Sequence, residues 1–275
     1  VTDGSMKELK IPANLDYTGS FDLPSTITVM TQNLLATDEE YAKFVAGGLE
    51  ISVKLEDNTI EKRQPRVLSL IEKYQPDSLG VQECSAPWRT YFDSNLSKLG
   101  YKRIGASKNP KIGIIYNAKV LKPIFTGSFW LTEDPENLKI SKEWGKESDG
   151  LTERLGMYVV FEVAATGERF AHFNTHLDNA GEQARAESVA LIASKIAQLA
   201  PDIPVVLTGD FNFNETSYNY GNMLSCGMKD TKYLAETADF GPTYHGYRAV
   251  NLDILPIDFV FVNAYVKSVA YSKID

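Results

Sequence analysis

Five strand-like segments of this 275-residue chain carry polar side chains at one end. The clearest spans residues 203–212, in which an apolar run stops at Gly209 and an acid and an amide follow, two positions apart. Side chains at positions i and i+2 of an extended chain point the same way, so we expect Asp210 and Asn212 to share one face while Phe211 turns into the core. The pattern predicts that buried strands deliver polar groups to one place.

The other four segments repeat this arrangement. They are 27–33, which ends at Asn33, 78–83, which ends at Glu83, 170–178, and 257–262, which has Asp258 at its start. Segment 170–178 alternates, so that His172, Asn174, His176 and Asp178 share one side. A single Gly-Asp pair most often makes only a turn hydrogen bond, and a lone histidine is usually a satisfied core residue. Five coincidences favour a functional site instead.

The atom types at these strand ends predict a hard divalent cation. Carboxylate oxygens come from Glu83, Asp210 and Asp258, and amide groups come from Asn33 and Asn212. Such groups suit Mg²⁺ or Mn²⁺ better than structural zinc. Because Mg²⁺ prefers one or two carboxylates together with substrate phosphate oxygens, a sparse acidic site implies a phosphate-ester substrate. Hydrolysis of that ester requires a positioned water and neutralised charge on the transferred group.

Taken together and in order, these motifs resemble the endonuclease/exonuclease/phosphatase superfamily of deoxyribonuclease-like, metal-dependent phosphoesterases, and within it a bacterial subgroup. The matching segments are 31–33, 82–83, 129–133, 174–178, 209–212, 243–246 and 257–262. The Gly-Asp-Phe-Asn segment alone is moderately specific, whereas the ordered set is a strong signal. The superfamily includes nucleases, inositol polyphosphate phosphatases and sphingomyelinases.

By this resemblance, Glu83 is expected to be the principal magnesium ligand, with Asn33 in its inner or outer coordination shell. Asp210 and Asn212 are expected to hold the attacking water. The role expected of Asp210 and Asn212 also follows from their chemistry, because a carboxylate beside an amide can orient and deprotonate water.

The resemblance also implies roles nearer the substrate. His176 is expected to contact the scissile phosphate, and Asp258 is expected to orient a further catalytic histidine. Asn174 and His245 are assigned to substrate binding, and Arg154, which precedes an apolar run at 155–161, is a further candidate substrate contact on the evidence of its position. Two of these have alternatives, since His245 could cap a loop and Arg154 could be an ordinary surface charge.

One expected motif is missing. The resemblance implies a Ser-Asp-His segment after 257–262, but no histidine follows His245 in this sequence. We expect the natural gene product to continue beyond Asp275 by about ten to thirty residues that contain an Asp-His pair. Residues 1–25 are interpreted as an N-terminal extension or a vector-derived start, and 26–275 as a single domain that lacks its final strand and Asp-His motif.

Helical periodicity between the strands predicts helices at 59–75, 85–100 and 181–200. Helices that alternate with strands whose ends gather at one edge predict an α/β fold. The specific expectation is a four-layer α/β/β/α sandwich of two packed mixed β-sheets flanked by helices, with the chemistry on loops above a rigid scaffold.

The net charge of the chain limits which substrates it is expected to bind. The formal net charge is −8, and a field of that sign repels long nucleic acids, so a small phosphomonoester or phosphodiester is favoured. Nucleotides, sugar phosphates and nucleic acid all remain candidate substrates. No apolar run is long enough to span a bilayer, so we expect a soluble monomer, either cytoplasmic or exported.

The functional prediction is a magnesium-dependent hydrolase that cleaves a phosphoester by direct attack of an activated water. One alternative is a nuclease acting on DNA or RNA. An alternative of another class is a catalytically inactive phosphate- or partner-binding module, because the terminal histidine is absent from the sequence.

Overall fold

The computed structural model describes residues 26–38, 57–137, 144, 153–244 and 255–274. The predicted extension at 1–25 and His245 lie outside the described residues. The described strands are β1 Val29–Asn33, β2 Ser78–Gln82, β3 Tyr101–Gly105, β4 Gly113–Asn117, β5 Leu121–Trp130, β6 Leu155–Val163, β7 Arg169–His176, β8 Val205–Asp210, β9 Lys229–Asp230, β10 Thr237–Ala238, β11 Asp258–Val262 and β12 Ala270–Tyr271.

Three long helices lie where the sequence predicts them. They are α1 Ile60–Tyr74, α2 Ala86–Asn95, which continues as a 3₁₀ helix over Leu96–Leu99, and α3 Glu182–Leu199. Two shorter helices are α4 Tyr218–Ser225 and α5 Thr231–Leu234. Among the helices that are described, none is both long enough and apolar enough to cross a lipid bilayer.

Two mixed sheets carry most of the strands. One has the order β1-β2-β4-β3 and the other has the order β5-β6-β7-β8-β11-β9, while β10 and β12 form a small separate pair. In the first sheet β1 runs parallel to β2, and in the second β7 runs parallel to β8. A parallel pair of this kind requires a crossover connection, which α3 supplies between β7 and β8.

Three hydrophobic clusters fill the three interfaces between four layers. Ile71, Trp88 and Phe92 of α1 and α2 pack against Leu79 and Ile115 of the first sheet. The inner cluster joins the two sheets and contains Ile114, Met157, Val159, Phe161 and Val206. The third packs α3 and α4 on the second sheet and contains Val189, Ile192, Met223, Phe173 and Phe261. The predicted four-layer sandwich is therefore confirmed.

A buried polar network also joins the two sheets. The side of β7 that carries His172 and Asn174 faces the first sheet, and His172 contacts the hydroxyls of Ser78 (2.6 Å) and Thr208 (2.8 Å). Gly80 allows the sheets to approach here, because a Cβ at this position would lie 2.1 Å from Thr208 Oγ1. The alternation of segment 170–178 thus predicts the correct grouping of side chains, but most of that polar face is interior.

Strand register brings the polar strand ends to one edge. Asn33 pairs with Gln82, the residue before Glu83, and His176 pairs with Asp210. Strand β11 runs antiparallel to β8, so its first residue, Asp258, lies opposite Asp210. The carboxyl ends of β7 and β8 therefore meet the amino end of β11. Hydrogen bonds from Asn33 to Glu83 and Asp210 join them to the carboxyl ends of β1 and β2 in the other sheet.

Candidate active site

Asn33 joins two acids that are 127 positions apart in the sequence. Its Nδ2 donates one hydrogen bond to Glu83 Oε1 and another to Asp210 Oδ2, each 2.9 Å long. The amide oxygen of Asn33 accepts from the backbone N–H of Leu35 at 2.9 Å, which fixes the orientation of the amide. The second carboxylate oxygen of Glu83 accepts from Ala36 N at 2.7 Å. The structure thus brings together the residues predicted at three separate strand ends.

The backbone at this site is strained. Leu35 and Glu83 have φ of 56° and Asn212 has φ of 49°, the left-handed region that non-glycine residues rarely occupy. Among the described residues, the other non-glycine residue with positive φ is Gln75, which follows the last turn of α1. Strained conformations of this kind persist where surrounding contacts enforce them and are concentrated at functional sites.

Asp210 and Asn212 form a rigid turn at the end of β8. Asn212 N donates to Asp210 Oδ1 at 3.0 Å, and Asn212 Nδ2 donates to the carbonyl of Leu177 at 3.0 Å. The expected extended conformation is not kept at Asn212, because its positive φ turns the chain back toward Asp210. Phe211 is fully buried in the core, as predicted. The Asx-type turn and the clustering of the acid with other polar groups therefore occur together.

His176 lies beside this turn without being bound to it. Its Nε2 is 3.6 Å from Asp210 Oδ2, which is too long for a hydrogen bond. Burial lowers the pKa of His176 well below its ordinary value of 6.5, and the charge of Arg154 lowers it further. The imidazole is therefore neutral at pH 7, with one N–H to donate and one nitrogen to accept.

Burial raises the pKa of Asp210 to about 6, against the effect of hydrogen bonds from Asn33 and Asn212, which lower it. The negative charge of Glu83 raises this pKa and the positive charge of Arg154 lowers it. A carboxyl group with a pKa nearer neutrality is a stronger base than an ordinary aspartate.

Asp258 is the second acid at this edge, and its side chain is half-buried. Burial and then the charge of Asp210 raise its pKa well above 3.8, while a hydrogen bond from the Thr243 hydroxyl lowers it. The same hydroxyl accepts from the backbone N–H groups of Ile257 and Asp258, both at 3.1 Å. Within the described ranges, Asp258 Oδ1 is buried without a hydrogen-bond partner. An acceptor of this kind calls for a proton donor or a cation.

The donor set fits a divalent cation. Glu83 raises the pKa of both Asp210 and Asp258, so three carboxyl groups lie within electrostatic reach of one another. In the part of the chain that the structure describes, no three His, Cys, Asp or Glu side chains converge into a preformed metal cage. Mg²⁺ usually takes one or two carboxylates and completes its shell with water and substrate oxygens, and Glu83 and Asp210 supply two carboxylates at this edge.

Asn174 differs from the expectation that it binds substrate. It is fully buried between the sheets, where its Nδ2 donates to the carbonyls of Val81 and Gly113 and its Oδ1 accepts from Gln82 and Thr208. Both donors and both acceptor positions of its amide are therefore occupied. Asn174 holds the two sheets together beneath the site.

Arg154 immediately precedes β6, and its Nη2 donates to Asn179 Oδ1 at 3.3 Å. Because its charge lowers the pKa of both Asp210 and His176, it lies on the active edge and not on a remote surface. Sequence reasoning assigned no role to the backbone of Leu35 and Ala36 or to the hydroxyl of Thr243. Thr243 lies within a recognised motif, whereas no sequence signal marks the turn at Leu35.

Comparisons with known proteins show the family and the fold of this chain. A model of the Endonuclease/Exonuclease/phosphatase family matches residues 61–273. The chain is similar to the structure of an endonuclease/exonuclease/phosphatase from Bacteroides vulgatus, with 25% identity, 90% of each chain covered and a TM-score of 0.76. It is also similar to a mannosyl-6-phosphatase of Bacteroides thetaiotaomicron (24% identity, 90% of each chain, TM-score 0.75).

A more distant structure shares the fold. This is D. rerio TDP2 complexed with a single-strand DNA product, at 15% identity, with 90% of this chain and 85% of that chain covered and a TM-score of 0.62. No curated protein sequence gives a significant match.

Proposed function

This chain belongs to the endonuclease/exonuclease/phosphatase family, whose members hydrolyse phosphoester bonds, and from that premise we propose that it is a magnesium-dependent phosphoesterase acting by direct attack of water. The observation that carries the proposal is the bridge made by Asn33, which holds Glu83 and Asp210 against one another beside a neutral His176. A structural cluster would gain little from assembling uncompensated acids around one amide.

Asp210 is the proposed base. Its raised pKa and its fixed position suit removal of a proton from a water that Asn212 helps to orient. Attack by that water on phosphorus forms the new P–O bond as the bond to the leaving oxygen breaks, so no covalent enzyme intermediate is needed. The proton passes from the water to the Asp210 carboxylate.

His176 and Arg154 are the proposed contacts to the phosphate. His176 donates its N–H to a nonbridging oxygen, and the neutral imidazole that burial maintains carries one such N–H. Arg154 supplies a permanent positive charge whose influence already reaches Asp210 and His176. Planar guanidinium groups match phosphate geometry well.

Glu83, with Asn33 beside it, is the proposed holder of Mg²⁺ or Mn²⁺. When bound, the cation supplies neutralisation of the charge on the transferred phosphoryl group and on the leaving oxygen. Asp258 is the proposed carboxylate that orients a further imidazole, and its unpartnered buried Oδ1 supports that role. His245 stays a proposed substrate contact.

A small phosphoester is the proposed substrate, with a sugar phosphate as the first candidate. The net charge of −8 disfavours long polyanions, and the similar Bacteroides structure is described as a mannosyl-6-phosphatase. A nuclease activity is the second candidate, favoured by the shared fold of the DNA-bound structure.

The test is hydrolysis of bis(p-nitrophenyl) phosphate and of a panel of hexose phosphates and nucleotides, with Mg²⁺ and with excess chelator. We expect turnover that requires the metal and falls at least about 100-fold in Asp210→Asn and His176→Ala. Asp202→Asn, an exposed acid before β8, is the matched control and should keep full activity. Metal-independent turnover, or an active Asp210→Asn variant, would contradict the mechanism; absence of turnover with every substrate would favour the binding module.

A further inference from the structure

The turn after β1 contacts both residues that are proposed to hold the cation. Leu35 N donates to the amide oxygen of Asn33, and Ala36 N donates to Glu83 Oε2. Leu35 has φ of 56°, so the turn is held in a conformation that a leucine does not favour. Something outside the turn must therefore stabilise it.

Arg63, in the first helical turn of α1, binds the backbone carbonyl groups of the turn that follows β1. Its Nη1 donates to the carbonyls of Leu34 and Leu35, the second at 2.8 Å. Its other donors anchor the guanidinium, because Nε bonds to the carbonyl of Asn58 at 2.9 Å and Nη2 bonds to Asp38 Oδ1 at 3.1 Å. All three nitrogens of the fork are thus engaged at once, which fixes its plane.

Trp88 completes the support. Its indole Nε1 donates to the same Leu35 carbonyl at 3.3 Å, and the guanidinium of Arg63 lies 5.8 Å from the centre of its ring. Trp88 is a fully buried residue of α2 in the core between the helices and the first sheet, so the guanidinium packs beside a well-ordered ring. The strained turn is therefore held from the helical layer and not from the active edge.

We propose that Arg63 is a positioning residue of the active site: by fixing the carbonyls of Leu34 and Leu35, it sets the amide of Asn33 and the carboxylate of Glu83 for cation binding. The chain of contacts runs from Arg63 through the backbone of residues 34–36 to those two side chains. This inference rests on the proposed function and extends it to a residue that touches neither the cation nor the substrate.

Arg63→Ala is the principal test. Loss of a side chain that orients metal ligands typically lowers metal affinity or activity by about 10- to 100-fold, and we expect that range for the Mg²⁺ and Mn²⁺ affinities measured by titration calorimetry. Arg66→Ala is the matched control. Arg66 lies one turn further along α1, and its hydrogen bonds among the described residues go to Asn58 and Asp57, so its removal takes away the same charge without touching the turn.

Kinetics separate positioning from a general loss of structure. In Arg63→Ala we expect a lower kcat and a higher Mg²⁺ concentration for half-maximal activity, while the KM for substrate at saturating Mg²⁺ changes little. Guanidinium chloride at low millimolar concentration should restore part of the metal affinity of Arg63→Ala and have no effect on Arg66→Ala. Arg63→Lys keeps the pair with Asp38 but lacks the planar fork, so it should lie between the wild type and Arg63→Ala, and it serves if the alanine variant does not fold.

The outcomes distinguish this inference from the proposed function. If the wild type hydrolyses phosphoesters and Arg63→Ala binds Mg²⁺ and Mn²⁺ as tightly as Arg66→Ala, the positioning role is wrong and the function stands. If the wild type hydrolyses nothing but binds these cations, and Arg63→Ala loses affinity with rescue by guanidinium, the positioning role stands and the function is wrong. Equal losses in both arginine variants would also overturn the positioning role.

Discussion

Asp210 and Asp258 lie directly opposite one another on the antiparallel strands β8 and β11, where Asp210 is buried and Asp258 is half-buried. Side chains at directly opposed positions share one face and are a few ångströms apart. The charge of Asp210 raises the pKa of Asp258, and the charge of Glu83 raises the pKa of both. Like charges this close destabilise the fold unless a cation or a proton compensates them.

Mg²⁺ should therefore stabilise the protein against heat. A ligand at 100 times its dissociation constant contributes about 2.7 kcal/mol, and each kcal/mol raises the melting temperature of a protein of this size by about 2–4 °C. Glu83→Gln should lose most of this increase, because the proposed ligand loses its charge. Glu187→Gln, an exposed glutamate on α3, should keep it.

The measurement is thermal unfolding of the three proteins with Mg²⁺ and with chelator. An equal metal-dependent increase in wild type and Glu83→Gln would mean that the cation binds elsewhere.

Strand patterns predicted that Glu83, Asp210 and His176 would converge. His176 and Asp210 end adjacent strands of the second sheet, and Glu83 follows β2 of the sheet packed against it. The patterns did not predict that His172 and Asn174 would be interior. Alternation fixes which side chains share a face, but it does not say whether that face meets solvent, substrate or another sheet. The three long helices were predictable because each combines a periodic apolar face with a clear start or stop.

The support beneath the site was beyond sequence reasoning. The bonds from Arg63 to the turn at Leu34 and Leu35 join segments about 30 positions apart, and nothing in the local sequence distinguishes Arg63 from Arg66. The positive φ of Asn212 likewise depends on its bond to the Leu177 carbonyl, a contact made only after β7 and β8 pair. Tertiary contacts override local preference at such positions.

Gly80→Ala should destabilise the fold strongly. The new Cβ would lie 2.1 Å from Thr208 Oγ1 and 2.6 Å from Asn174 Oδ1, so the two sheets would have to separate or the buried network would have to break. Overpacking alone typically costs about 1–3 kcal/mol, and we expect at least that.

Gly221→Ala is the matched control for Gly80→Ala. Gly221 lies in α4, and a Cβ there meets nothing within 4 Å, so alanine should stabilise the helix by about 0.4–1 kcal/mol. Urea denaturation measures the change in the free energy of unfolding for both variants, which should be negative for Gly80→Ala and positive for Gly221→Ala. Equal stability of Gly80→Ala and wild type would show that the space between the sheets accommodates a methyl group.

Arg154→Ala should weaken binding of the anionic substrate. Removal of a permanent cation from the active edge is expected to raise KM by about 10-fold, in line with the loss of a charge-assisted hydrogen bond of about 1.5–3 kcal/mol. The increase should be larger at low ionic strength, where charges are less screened. Arg169→Ala is the control, because Arg169 pairs with Glu162 at the start of β7, away from the active edge.

Steady-state kinetics at two salt concentrations make the comparison. An unchanged KM in Arg154→Ala would mean that Arg154 does not contact the substrate and is an ordinary charged residue.

His172 should make stability depend on pH. Burial lowers the pKa of His172 from 6.5 to about 3 in the folded chain, where both ring nitrogens contact the hydroxyls of Ser78 and Thr208. Between these two pKa values the unfolded chain binds the proton that the folded chain excludes. The stabilisation is therefore complete above about pH 6.5 and declines as the pH falls, by about 1.4 kcal/mol per pH unit for one proton.

Urea denaturation of wild type and His172→Gln at pH 8, 6 and 5 tests this. The variant should be less stable at pH 8, by about 1–3 kcal/mol, because glutamine cannot reproduce both contacts in the same space. The difference between the two proteins should then shrink as the pH falls, because the variant has lost one of the protons linked to unfolding. His176 is present in both proteins and its contribution cancels, so parallel stability curves would mean that His172 is not the titrating group.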